Sequence, residues 1–318
     1  MRDTDYAYCV ARVRAAESKM LTEDDLKKLR EFSRLSDAIR FLKEKSWTSS
    51  DGETVREIIS FEKNNLWKLL SESVPDKAEL SVLCAINDFF NIKAVVKCLL
   101  CGISPEGYIM VPTTVNVDSI KENLYKRNFS AIFKDKSDAA EKAYFSAVES
   151  ESGQLAEVIV DRAAIDYMAC YSAELNDSVI AKVCGFISDS SNIKIALRCV
   201  FSGKDESFIN EAIGQCINLD REKLVNSAVK GADELYSYLD STVYKSGVSL
   251  SRNNFSDFEI WCEERLIEIA SESRYTAFSF SPVCFYYYKK LNEIKKVSSV
   301  LAEINSRETE EGQGDADA

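Results

Sequence analysis

Thirteen residues, 88–100, read D-F-F-N-I-K-A-V-V-K-C-L-L. They place a carboxylate (Asp88), an amide (Asn91) and an ammonium (Lys93) at the start of an apolar pattern. Ile92, Val95, Val96 and Leu99 follow the three-and-four spacing of one helix face. Such a trio has the donors, acceptors and charges to bind a polar ligand. The set recurs as Asp189, Asn192 and Lys194 in D-S-S-N-I-K-I-A-L-R-C-V-F, and a weaker echo stands at Glu293-Ile294-Lys295. Asn91, Asn192 and Glu293 are separated by 101 residues and then by 101 again. A catalytic group rarely needs three equivalent copies, whereas a packing and capping device does. The trio therefore reads as a structural joint. Asp88 and Asp189 are expected near a helix bend, with the amides of Asn91 and Asn192 satisfying free backbone groups.

Other chemistry is scarce. The chain has no histidine, which removes the commonest general base and the triads built on it. Cys98 and Cys101 form a C-x-x-C inside an apolar helix end, with no second pair at zinc spacing. Their expected role is core packing. Residues 102–107 have the glycine spacing of a phosphate loop, but Tyr108 and Ile109 stand where Lys and Ser or Thr are required. Glu157 and Asp161 lie one helical turn apart beside Arg162, and a solvated face or internal ion pair is expected there before a paired-carboxylate site. The run Tyr286-Tyr287-Tyr288 reads as packing rather than a stacking platform for nucleic acid.

The elements that must position these residues are helices. Only 11 glycines and 4 prolines occur in 318 residues, and few stretches alternate apolar with polar. An all-α fold follows. The net charge of −12, without a basic patch, argues against a nucleic-acid partner. Ten cysteines, mostly on apolar faces, fit a reducing compartment. No signal peptide and no membrane span is read, so a cytoplasmic location is expected. Thr22 reads as an N-cap with Asp24 and Asp25 behind it, and 21–45 as two short helices broken near Ser33. A longer helix is expected over 53–70, and the motif helix over 79–103. The order restarts near Val115 with Ile120, Leu124, Phe129, Ile132 and Phe133, a long helix from Ala139 to about Tyr171, and the second motif helix over 176–202. It restarts again at Ile217 and ends with a helix over 282–304. Three domains of about 100 residues are expected, at 1–112, 113–214 and 215–306, followed by a disordered acidic tail at 307–318.

These patterns together resemble the C subunit family of V-type and A-type rotary ATPases, whose eukaryotic counterpart is the d subunit. The resemblance runs from Tyr6 to Ile304. It rests on Arg12 and Arg14 in the opening helix, the Asp88 and Asp189 motifs with Lys97 and Arg198, Glu157-x-x-Val160-Asp161-Arg162, and Tyr286 with Glu293-Ile294-Lys295. Ser298-Ser299 stand where a basic residue is common, and the acidic tail replaces further helical sequence. The resemblance implies three similar domains in a pseudo-threefold funnel. It implies a non-catalytic subunit without cofactor or metal, which seats the central shaft on the membrane ring of proteolipid subunits at its cytoplasmic face and transmits torque. The competing reading is a free-standing helical adaptor that binds proteins through a concave face; a carboxylate enzyme ranks third.

Overall fold

The computed structural model describes residues 6–129, 137–150, 153–174 and 177–314. Among them are fifteen α-helices and no strand, as the composition requires. In chain order they are α1 (Ala7–Glu17), α2 (Glu23–Arg30), α3 (Leu35–Glu44), α4 (Val55–Ser73), α5 (Lys77–Cys101), α6 (Val117–Tyr125), α7 (Ser137–Ser150) and α8 (Gly153–Glu174). There follow α9 (Ser178–Phe201), α10 (Glu206–Ala212), α11 (Arg221–Lys230), α12 (Ala232–Asp240), α13 (Lys245–Ser251), α14 (Phe255–Ala270) and α15 (Ser281–Gly314). The single helix expected from Ala139 to Tyr171 is two helices, α7 and α8. Ile132 and Phe133 lie outside the described residues.

Local chemistry sets the ends. Thr22 and Asp25 form a capping box that opens α2: the Asp25 N–H donates to Thr22 Oγ1 at 3.1 Å, and the Thr22 N–H donates to Asp25 Oδ2 at 3.0 Å. Hydrogen bonds from Lys45 and then Thr22 hold the Asp25 carboxyl down at about 2. Thr54 and Glu57 form a second box at α4. The two motif helices α5 and α9 stop in the same way, on Gly102 (φ 66°) and Gly203 (φ 61°). Past each glycine an N–H folds back, from Ile103 to the Cys98 carbonyl at 2.9 Å and from Lys204 to the Cys199 carbonyl at 3.0 Å.

Among the described residues three apolar cores stand out. One gathers Phe89, Ile92, Val95 and Val96 of α5 with residues of α6, α7 and α8, among them Ile120, Leu124, Ala143 and Val160. A second gathers Ile193, Ala196 and Leu197 of α9 with α10 to α14, including Leu224, Leu235, Val248 and Phe258. The third gathers Ile294, Val297, Leu301 and Ile304 of α15 with Leu29, Leu42 and Ile58 of α2, α3 and α4. Each motif helix thus shares a core with helices beyond it in the repeat order, and the last shares one with the start of the chain.

The chain divides into two compact units, residues 1–77 with 273–318, and residues 78–272. The tail differs from expectation, because residues 307–314 continue α15. Glu308 accepts the Leu35 N–H at 2.8 Å, and Arg307 donates to the carbonyls of Arg30 and Phe32, so this end of the helix is tied to the α2–α3 segment. No helix among the described residues is long and apolar enough to cross a membrane.

One close approach makes a sharp test of the packing. A Cβ at Gly247 of α13 would stand 2.2 Å from Cε3 of Trp261, whose ring stacks on Phe258 at 6.0 Å. Gly247→Ala is expected to lower stability by about 1–3 kcal/mol in urea unfolding, because overpacking outweighs alanine's helix preference of about 1 kcal/mol. An unchanged midpoint would show that the indole moves aside freely.

Candidate functional site

The repeated signature is built on the buried faces of α5, α9 and α15. Asp88, Asn91, Asp189 and Asn192 have no solvent exposure, and Glu293 is also buried. The partners of the first two copies lie well downstream in the chain. The Asn91 carboxamide accepts the Met110 N–H at 2.8 Å and donates to the Met110 carbonyl at 3.0 Å. Asp88 accepts the Thr114 N–H at 2.9 Å and the hydroxyls of Thr113 and Thr114. Asn87 adds a bond to the Pro112 carbonyl at 2.8 Å. The second copy repeats the arrangement. Asn192 accepts the Gly214 N–H and donates to the Gln215 carbonyl, both at 2.8 Å. Asp189 accepts the N–H groups of Ile217 and Asn218, both at 2.8 Å, and the Tyr244 hydroxyl at 2.8 Å.

The groups satisfied are therefore those of the non-helical segments just before α6 and just before α11. α9 runs unbroken through Asp189 and Asn192. In the third copy Glu293 does the corresponding work on the first segment of the chain. Its carboxylate accepts the Leu21 N–H at 2.6 Å and the Trp47 indole N–H at 2.7 Å.

Lys93, Lys97 and the arginines of the family pattern form an outer layer of ion pairs. Lys93 reaches Asp161 at 2.6 Å and Lys97 reaches Glu157, both crossing from α5 to α8. Arg198 crosses from α9 to Glu259 of α14 at 3.1 Å and lies over Phe255. Arg162 spans Asp166 at 3.6 Å and Glu211 at 3.4 Å. Lys194 lies near Cys262, whose thiol burial pushes up to about 11. Lys295 is exposed. Arg14 donates to Glu17 at 2.7 Å, and Arg12 stands 3.5 Å from Glu72. Burial works to raise the Glu17 carboxyl, yet Arg14 and Lys289 together hold it below its ordinary value. Tyr286 is buried, and burial, then the carboxylates of Glu293 and Glu62, raise its hydroxyl.

These contacts assign the carboxylates of residues 157 and 161 to helix–helix ion pairs. Cys98 is buried, but Cys101 is exposed as the last residue of α5, so the two thiols do not share one environment. Tyr286 and Tyr287 are buried and Tyr288 partly so. No cluster of three or more metal-ligating side chains occurs among the described residues.

Sequence reasoning missed Trp47, Glu62 and Lys290, which complete the third copy. Lys290 donates to Glu293 at 2.7 Å, stands 3.9 Å from Glu62 and lies over the Trp47 ring. The one available signal was the three-residue spacing of Lys290 and Glu293 on a helix.

One carboxyl stands apart. Burial, then the nearby Asp177 carboxylate, push Glu79 of α5 up to about 7 from an ordinary 4.5. Its folded form holds a proton more tightly than its unfolded form, so stability falls as pH rises through that window. Glu79→Gln is expected to flatten this slope. Its melting temperature should exceed that of the parent at about pH 8 and match it at about pH 4. Parallel melting curves of parent and variant across that range would refute the assignment.

The buried, thrice-used signature is spread over nearly the whole chain, so any relationship should extend equally far. A comparison with curated proteins finds no match. A family model described as ATP synthase (C/AC39) subunit matches residues 9–311, from α1 into the last turns of α15, and takes in all three copies. With that span covered, the chain belongs to the ATP synthase (C/AC39) subunit family of V/A-type ATPases.

Proposed function

We propose that the chain is a non-catalytic central-stalk subunit of a V/A-type rotary ATPase. It couples the rotor shaft to the membrane ring of proteolipid subunits at the cytoplasmic face and transmits torque for ion transport. The observation that carries this reading is the family match over residues 9–311. The geometry supports it physically. A coupling part must resist twisting, and close-packed helices deform little. Here the segments between helices are also pinned, by Asp88 and Asn91, by Asp189 and Asn192, and by Glu293, through buried hydrogen bonds. The three-domain funnel and the structural role of the signature belong to the same proposal.

The test is reconstitution. The purified chain is offered to membranes carrying the proteolipid ring, with and without the shaft subunits. The expected result is capture by both, and ATP hydrolysis that drives ion transport only when the chain is present. Failure to join either ring or shaft would favour the adaptor reading instead.

A further inference from the structure

The unit formed by residues 1–77 and 273–318 contains a pocket whose lining opposes the charge of the chain. It has a volume of about 630 Å³, within the usual small-molecule range. Arg12, Lys19, Lys43 and Lys290 line it, against one carboxylate, Glu62. The chain as a whole carries a net charge of −12. Lys19 and Lys43 are exposed, and neither has a carboxylate within ion-pair distance among the described residues. The Arg12 pair with Glu72, at 3.5 Å, is partly solvated on both sides and exchangeable. Lys290 is buried at the base, held by Glu293 at 2.7 Å. The hydroxyls of Ser46 and Ser49 belong to the same lining, where Thr48 and Asn65 donate to Glu62.

We propose that this pocket binds a compact oligophosphate. Two lysines without carboxylate partners and an exchangeable arginine come from separate elements, so they match several anionic oxygens rather than one carboxylate. The surrounding hydroxyls suit phosphate oxygens. The dimensions fit a small molecule, and a free anion or the headgroup of a phosphate-bearing lipid would present the same chemistry. The site is independent of the rotary reading.

The experiment uses the full chain and two probes, inorganic tripolyphosphate in solution and phosphatidylcholine vesicles containing phosphatidylinositol bisphosphate. Calorimetric titration and a vesicle sedimentation assay read binding. Lys19→Glu/Lys43→Glu is expected to weaken it about 100-fold, since each lysine supplies a charge-assisted hydrogen bond. Lys121→Glu/Lys230→Glu makes the same change in net charge at exposed positions outside the pocket and is expected to leave binding within about twofold. Circular dichroism confirms that both variants fold. Binding of tripolyphosphate identifies a soluble ligand, and sedimentation with vesicles alone identifies a lipid headgroup; either supports the site. Binding of neither probe, or equal losses in the two variants, overturns it.

Discussion

Asp189→Asn is expected to destabilise the fold by about 2–3 kcal/mol, far more than its near-isosteric size suggests. Every partner of the Asp189 carboxylate is a donor. Ile217 N–H serves one oxygen, while Asn218 N–H, the Asn218 side-chain amide at 2.9 Å and the Tyr244 hydroxyl serve the other. An asparagine must turn its own NH2 toward at least one of them, and backbone N–H groups cannot reverse. The best orientation leaves a donor facing the Ile217 N–H in a site with no solvent exposure. Asp189→Leu leaves all four donors without a protein acceptor, and about 4 kcal/mol or more is expected.

The first copy supplies the control. Two of the three partners described for Asp88 are the hydroxyls of Thr113 and Thr114, which can rotate and accept from an amide. Asp88→Asn should therefore cost roughly half as much as Asp189→Asn. Asn192→Leu, which strips partners from the Gly214 N–H and the Gln215 carbonyl, should lower the melting temperature without creating a binding defect in the folded protein. Urea unfolding of the four variants measures this order. Equal costs at positions 88 and 189 would show that charge, not donor direction, governs the joint. An unaltered melting temperature for Asn192→Leu would require a contact role instead.

The contrast between the copies also shows what could be read from the chain itself. Apolar spacing placed the motif helices to within a few residues, because a buried face must repeat at three and four. Thr22 was legible because its hydroxyl and Asp25 are local partners. The targets of Asn91 and Asn192 were not legible, because they lie 19 to 24 residues downstream in segments without periodicity. Nor was the pairing of α15 with α2, α3 and α4, since no local signal records which core an apolar face will complete. The helical continuation through Arg307 and Glu308 was missed because composition alone made 307–318 look unable to bury anything. The anchoring there is polar and reaches back to residues 30–35. The basic pocket stayed hidden for a related reason. Residues 12, 19, 43 and 290 each look like solvated charges, and only the fold assembles them.

Lys290→Met is expected to cost about 3–5 kcal/mol at neutral pH, and the deficit should shrink as the solution is acidified. Lys290 is the single cation between two buried carboxylates, Glu293 at 2.7 Å and Glu62 at 3.9 Å. Methionine keeps the volume and the contact with Trp47 but leaves two neighbouring negative charges out of water. Burial already raises the Glu62 carboxyl above its ordinary 4.5, against the lowering influence of the Thr48 hydroxyl and Lys290. Loss of the ammonium raises it further. A carboxyl raised in the folded state binds protons that the unfolded chain does not, so stability falls as pH climbs from about 4.5 through the raised value. The variant therefore loses most above that window and recovers below it, once Glu62 is protonated. Adding Glu62→Gln to Lys290→Met should restore part of the neutral-pH loss and weaken its pH dependence. Urea midpoints from about pH 5 to about pH 8 give the readout. A deficit constant across that range would mean that Lys290 acts through packing on Trp47 and not through its charge.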